Sequence, residues 1–157
     1  MTPAGSATKL TYDDFLLFPD DGQRHELIDG EHYVTPAPNV SHQAILGNLH
    51  FLMRSYLEAS PLGRVLFAPF DVIFSKFDVV EPDLLYLSKA RDASLQEHGL
   101  TGSPDLVVEI ASKSTKKRDE VGKKFDKALE LSFDRGDVLT TPLLPGLQLR
   151  LADIFKE

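Results

Sequence analysis

The sequence predicts an α/β domain built on a mixed central β-sheet flanked by helices. Three observations carry that prediction. An Asp29-Gly30 turn signal separates two short strand-like segments. A long stretch from Ser41 repeats apolar residues at helical spacing. Beyond it, apolar strand-like runs alternate with helix-compatible stretches, the order expected of a sheet covered by helices.

Residues 1–9 are small and polar and read as a flexible tail, and residues 10–157 read as a single domain. Thr11 is placed to cap a short helix, with Asp14 at the capping-box position. Pro19-Asp20-Asp21-Gly22 breaks the chain before a hairpin of His25–Ile28 and Glu31–Val34. Pro36-Ala37-Pro38 is a loop. Ser41 then caps a helix whose Ile45, Leu49, Leu52, Met53 and Tyr56 form one apolar face, and Pro61 and Gly63 end it. Arg64–Phe67 and Phe70–Phe74 are short strands, and Val79–Leu87 is a longer one. Ser88 opens a helix to about His98, and Asp105–Ala111 is the most apolar strand of the chain.

Thr115–Asp126 reads as a helix, while Leu129, Leu131 and Phe133 alternate as in a strand. No cap or breaker separates them, although helices normally end in one. Either the helix continues to about Leu131 or a segment is missing near Asp126–Lys127. Asp134-Arg135-Gly136-Asp137 is a turn, Thr140–Leu151 is irregular or extended, and Leu151–Phe155 closes as a short helix.

The composition excludes several classes. The chain has 157 residues, 42% hydrophobic and 26% charged, as expected of a folded domain with a real core. It has no cysteine, so disulfide frameworks and thiolate chemistry are ruled out, and a cytoplasmic location is expected. No apolar run is long enough to span a bilayer, so no membrane partner is expected. The net charge of −7 argues against a generally basic, nucleic-acid-coated surface. A local basic run does exist: Lys113, Lys116, Lys117, Arg118, Lys123, Lys124 and Lys127.

Two acids stand out. Val79–Leu87 is apolar on both faces except for Glu81 and Asp83, and Asp105–Ala111 is apolar on both faces around Glu109, the pattern of buried strands. A buried carboxylate needs compensation by a metal ion or a cationic side chain. Two such acids in one small domain point to a hard divalent cation held by converging oxygens. Glu26, in the hairpin, reads on its own as an exposed strand acid. The five histidines show neither an HExxH motif nor close metal-ligand spacing, and His42 reads as a first-turn surface or packing residue. There is no GxSxG, Walker A or GxGxxG motif. Lys113 shares strand parity with Glu109 and is one candidate cation for the site.

Five ordered motifs then carry a resemblance: His25-Glu26-Leu27-Ile28-Asp29-Gly30-Glu31, Ala68-Pro69-Phe70-Asp71-Val72, Glu81-Pro82-Asp83-Leu84, Pro104–Ser112 and Thr141–Leu147. Together they resemble the restriction-endonuclease-like family first known as a domain of unknown function, within the PD-(D/E)xK nuclease superfamily. The resemblance spans about Tyr12 to Phe155. It implies a restriction-endonuclease-like fold and a DNA endonuclease dependent on Mg2+ or Mn2+, acting on DNA and working as a homodimer. Asp83 and Glu109 match the metal-holding acids, and Glu26 matches an early acid that binds a second metal or orients a ligand. Ala111 stands where the superfamily signature has lysine. The resemblance implies that Lys123, four residues after Asp119, replaces it. The family's aromatic-rich strand after the lysine helix is missing, and the match breaks at about Asp126 and resumes at about Ala128. A break or long spatial jump is therefore expected near Asp126–Lys127. A catalytically degenerate member of the fold, binding nucleic acid or protein, is the alternative. A carboxylate-pair glycosidase ranks below both, since the chain has no Trp for a sugar groove.

Overall fold

In the computed structural model, which describes residues 8–111 and 129–156, the first element is the short helix α1, Tyr12–Phe15. Thr11 caps it, and the reciprocal bond from Asp14 completes the capping box. The predicted hairpin follows as β1, Arg24–Ile28, and β2, Glu31–Thr35. Its two turn residues, Asp29 and Gly30, both take positive φ, 53° and 76°, as a type I′ turn requires. Most of the predicted tail lies outside the described residues. Lys9 pairs with Asp29, and Leu10 donates its N–H to the Gly30 carbonyl at 2.9 Å.

The long helix α2 runs Val40–Ala59. Its cap is Asn39 rather than Ser41: the Asn39 side chain accepts the His42 N–H at 2.9 Å. The buried stripe is Leu46, Leu49, Met53 and Leu57, with Ile45, Leu52 and Tyr56 flanking it. The apolar face is therefore rotated slightly from the one predicted.

Then come β3, Gly63–Phe67, and β4, Asp71–Ser75. The predicted single strand over Val79–Leu87 is two strands, β5, Asp78–Val80, and β6, Leu84–Ser88. They belong to different sheets, so the chain changes sheet at Glu81-Pro82-Asp83. At this crossing Glu81 donates its N–H to the Glu26 carboxylate at 2.9 Å, and Pro82 has no N–H to satisfy. The Asp83 carbonyl accepts the Ala68 N–H at 3.0 Å.

The helix predicted after Ser88 shrinks to a 3-10 turn, Lys89–Ser94, followed by a small hairpin of β7, Leu95–Gln96, and β8, Gly99–Thr101. β8 lies parallel to β4, with Gly99 opposite Asp71. A Cβ on Gly99 would stand 2.7 Å from the Asp71 carbonyl oxygen, so only glycine lets the strands approach this closely. β9, Leu106–Val108, follows. Val138–Leu139 (β10) pairs with Leu149–Arg150 (β11), and helix α3, Leu151–Ile154, ends the described chain. Residues 129–133 form no strand. Leu131 packs on the core, and Phe133 lies against Phe155 instead.

The larger sheet runs β2-β1-β5-β4-β8-β7 and is mixed, because β4 and β8 are parallel among antiparallel neighbours. A second sheet runs β3-β6-β9. β6 is the central layer of the molecule. Leu84 and Tyr86 pack toward α2 and the C-terminal segment, while Leu85 and Leu87 pack with Val72, Val80 and Leu100. This is why its sequence is apolar on both faces. β9 is only half-buried and sits at the edge of its sheet among the described residues, contrary to the buried central position its composition predicts.

Candidate active site

The site forms where the chain passes between sheets. β6 pairs with β9 antiparallel, Leu84 opposite Val108, so Asp83 and Glu109 occupy the next facing positions at one end of the pair. Asp83 is 3% exposed, and among the described residues three donors hold it there. Arg24, at the head of β1, reaches Oδ1 with Nη1 at 2.9 Å. His42, in the first turn of α2, lies with Nε2 at 3.1 Å from Oδ2. The Ile110 N–H, just after Glu109, donates to Oδ2 at 2.7 Å. A carboxylate only accepts, so Nε2 of His42 carries the proton. The other ring nitrogen, Nδ1, is then buried with no partner among the described residues.

Arg24 is the central cation of this cluster. Its Nε also lies 3.4 Å from Glu81, and the charges of Asp83, Glu109 and Glu81 raise its pKa against the opposing effect of burial. Glu26 is 2% exposed and spends one oxygen on the Glu81 N–H. It is thus not the exposed strand acid that its sequence position indicates. It anchors the segment that carries Asp83.

Beside Arg24 is a second acidic feature. A cavity of about 260 Å3 is lined by Pro69, Phe70, Asp71, Glu81, Glu97 and His98. Burial pushes Asp71 up to about 6, although a side-chain hydrogen bond with Glu81 and the charge of His98 pull the other way. Burial, then the neighbouring Asp71 charge, push Glu81 up to about 7, with Arg24 opposing.

The donor set suits a hard cation in kind but is small. Among the described residues, no three His, Cys, Asp or Glu side chains are grouped to hold a metal ion. Asp83 and Glu109 supply carboxylate oxygens, and Mg2+ commonly binds through one or two carboxylates while keeping several waters. A carboxylate has about four acceptor sites, and the donors among the described residues take three of those on Asp83. The residues present therefore fit a hydrated Mg2+ or Mn2+.

A family whose description reads "Uma2: Putative restriction endonuclease" matches residues 12–130, which include Glu26, Asp83 and Glu109. The chain belongs to the Uma2 family. Its fold is shared with a solved structure described as "a putative nuclease belonging to DUF820 from Anabaena variabilis ATCC 29413". That likeness has a TM-score of 0.71 at 19% identity and covers 93% of this chain and 97% of the other. A search among curated proteins finds no match. The restriction-endonuclease-like α/β fold expected from the sequence is thus the fold of this Uma2 member.

Of the predicted site residues, Asp83 and Glu109 come together at the end of one strand pair, and Glu26 braces the segment between the sheets. Lys123, its rival Lys113, Asp119 and the expected jump near Asp126–Lys127 lie outside the described residues. Sequence reasoning missed Arg24 and set His42 aside as a surface or packing residue. One signal for Arg24 was available: it shares strand parity with Glu26. No local signal marks His42, whose partner is 41 residues away. Among the described residues, no helix is long and apolar enough to cross a membrane.

Proposed function

We propose that this Uma2-family chain is a DNA endonuclease that hydrolyses phosphodiester bonds with Mg2+ or Mn2+ held by Asp83 and Glu109. The observation that supports it most is the register of β6 and β9, which makes a buried Asp83 and Glu109 facing neighbours. A bound divalent cation would supply charge stabilisation at the phosphate and a more acidic water. The chain's own residues do the rest. Arg24 and the Ile110 N–H orient the Asp83 carboxylate, and His42 fixes its second oxygen. Glu26 holds the Glu81-Pro82-Asp83 crossing in place through the Glu81 N–H. Lys123 would position the attacking water in the place that Ala111 leaves without a lysine. Cutting both strands of a duplex would take two copies, so a homodimer belongs to this reading.

A second reading, a degenerate member that binds nucleic acid or protein without cutting, is favoured by one observation. Arg24 already neutralises Asp83, as a cation would. Plasmid nicking with Mg2+ or Mn2+ separates the two. The endonuclease reading expects cation-dependent nicking that falls by about 100-fold or more in Asp83→Asn and in Glu109→Gln, the scale of losing one charge-stabilising group. DNA binding without nicking would move the assignment to the second reading.

A further inference from the structure

We propose that His25 and His32 form a two-imidazole site for a borderline divalent transition-metal ion of the Zn2+ class, separate from the carboxylate site. The β1–β2 turn brings together two histidines that the sequence leaves seven residues apart. Nδ1 of His25 lies 2.9 Å from Nε2 of His32, and the rings are nearly parallel, 13° apart. On its other side, His25 Nε2 lies 3.0 Å from Asp21 Oδ1.

The tautomers follow from these contacts. Asp21 only accepts, so His25 carries its proton on Nε2. In the neutral ring Nδ1 is a lone pair, to which His32 can donate from Nε2. A carboxylate holding one imidazole nitrogen so that the other can ligate is the usual outer arrangement of a metal-bound histidine. Asp21 is itself fixed, taking the Gln23 N–H at 2.9 Å and the Gln23 side chain at 3.0 Å.

His32 is seated by its ring neighbour Phe18, with centroids 4.2 Å apart. Burial, then the nearby His25, lower its pKa, while Asp21 opposes. Binding replaces the hydrogen bond between the two histidines: both rings must turn from their head-on contact until the facing lone pairs converge on one ion. The His32 proton moves from Nε2 to Nδ1, leaving a lone pair on each facing nitrogen. At Zn–N distances of about 2.0–2.1 Å and a tetrahedral angle, the two nitrogens part to about 3.3 Å. Water completes the shell. Imidazole nitrogens favour Zn2+, Ni2+ or Cu2+ over Mg2+, so this site and the carboxylate pair select different ions.

The test is calorimetric titration of Zn2+ into the full chain carrying Asp83→Asn, with millimolar Mg2+ present. The result expected is one Zn2+ per chain and shifted imidazole resonances of both histidines. Adding His32→Ala lowers the affinity more than tenfold in a chain that keeps a cooperative thermal transition without zinc. Adding Asp21→Asn lowers it by about tenfold or more. Absence of Zn2+ binding, or equal binding with and without His32, would overturn the proposal. Because the Asp83→Asn background removes a carboxylate ligand, either outcome leaves the nuclease reading untouched.

Discussion

Asp83 and the Asp71–Glu81 pair occupy one corner of the fold and meet the cost of burial in different ways. Asp83 is surrounded by donors: a guanidinium, an imidazole and a backbone N–H. Asp71 and Glu81 line a cavity with a weaker share of positive charge, and burial pushes them up to about 6 and about 7. Donors keep a carboxylate oriented for ligation, whereas a raised pKa lets a carboxyl hold a proton near neutral pH. The difference assigns separate duties to acids that are neighbours in sequence, since Glu81 and Asp83 are two residues apart.

Removing the donors from Asp83 is the strongest way to break this contrast. Arg24→Met leaves the buried carboxylate without its cation. It should cost about 3 kcal/mol in denaturant unfolding, the scale of breaking a largely buried pair. A loss under about 0.5 kcal/mol, typical of an exposed ion pair, would mean that Asp83 does not depend on Arg24. His42→Ala should cost less, about 2 kcal/mol, because one hydrogen bond to a charged group is lost while Arg24 stays. If it cost more than Arg24→Met, the ranking of the donors would be wrong.

The smallest effect concerns the cavity pair. Folding raises both carboxyls above their ordinary values of 3.8 and 4.5, so the native state binds more protons than the unfolded chain in between. Their contribution is fully present below the ordinary values of 3.8 and 4.5 and is lost as pH rises through about 6 and 7. Glu81→Gln should flatten that decline by an amount on the order of 1 kcal/mol, after allowing for solvent screening. Unfolding midpoints at pH 5 and pH 7.5 measure it. An unchanged slope would show that Glu81 does not titrate there.

Local chemistry made much of the fold legible. The Thr11–Asp14 capping box and the Asp29-Gly30 turn each need only neighbouring residues, and both are found where the sequence places them. Where two structures share one local pattern, the sequence could not choose. An apolar run from Val79 to Leu87 looks alike whether it is one strand or two strands in different sheets. The strands β7 and β8 are too short to show a period, so Ser88–His98 passes for a helix. In the site, Asp83 and Glu109 stood out because buried charge is costly. Arg24 stayed hidden because its bond to Asp83 spans 59 residues. The β1–β2 pairing brings His25 and His32 to one face as diagonal neighbours, a register that the two-residue Asp29-Gly30 turn fixes.

The central claim is that Asp83 and Glu109 form a cation site serving cleavage. Calorimetric titration of Mn2+ into the His32→Ala chain tests it most directly, with plasmid nicking assayed on the same samples. The expected result is Mn2+ binding and nicking together, both lost when Asp83→Asn or Glu109→Gln is added to a chain that still folds. Mn2+ binding and nicking that survive both substitutions would contradict it.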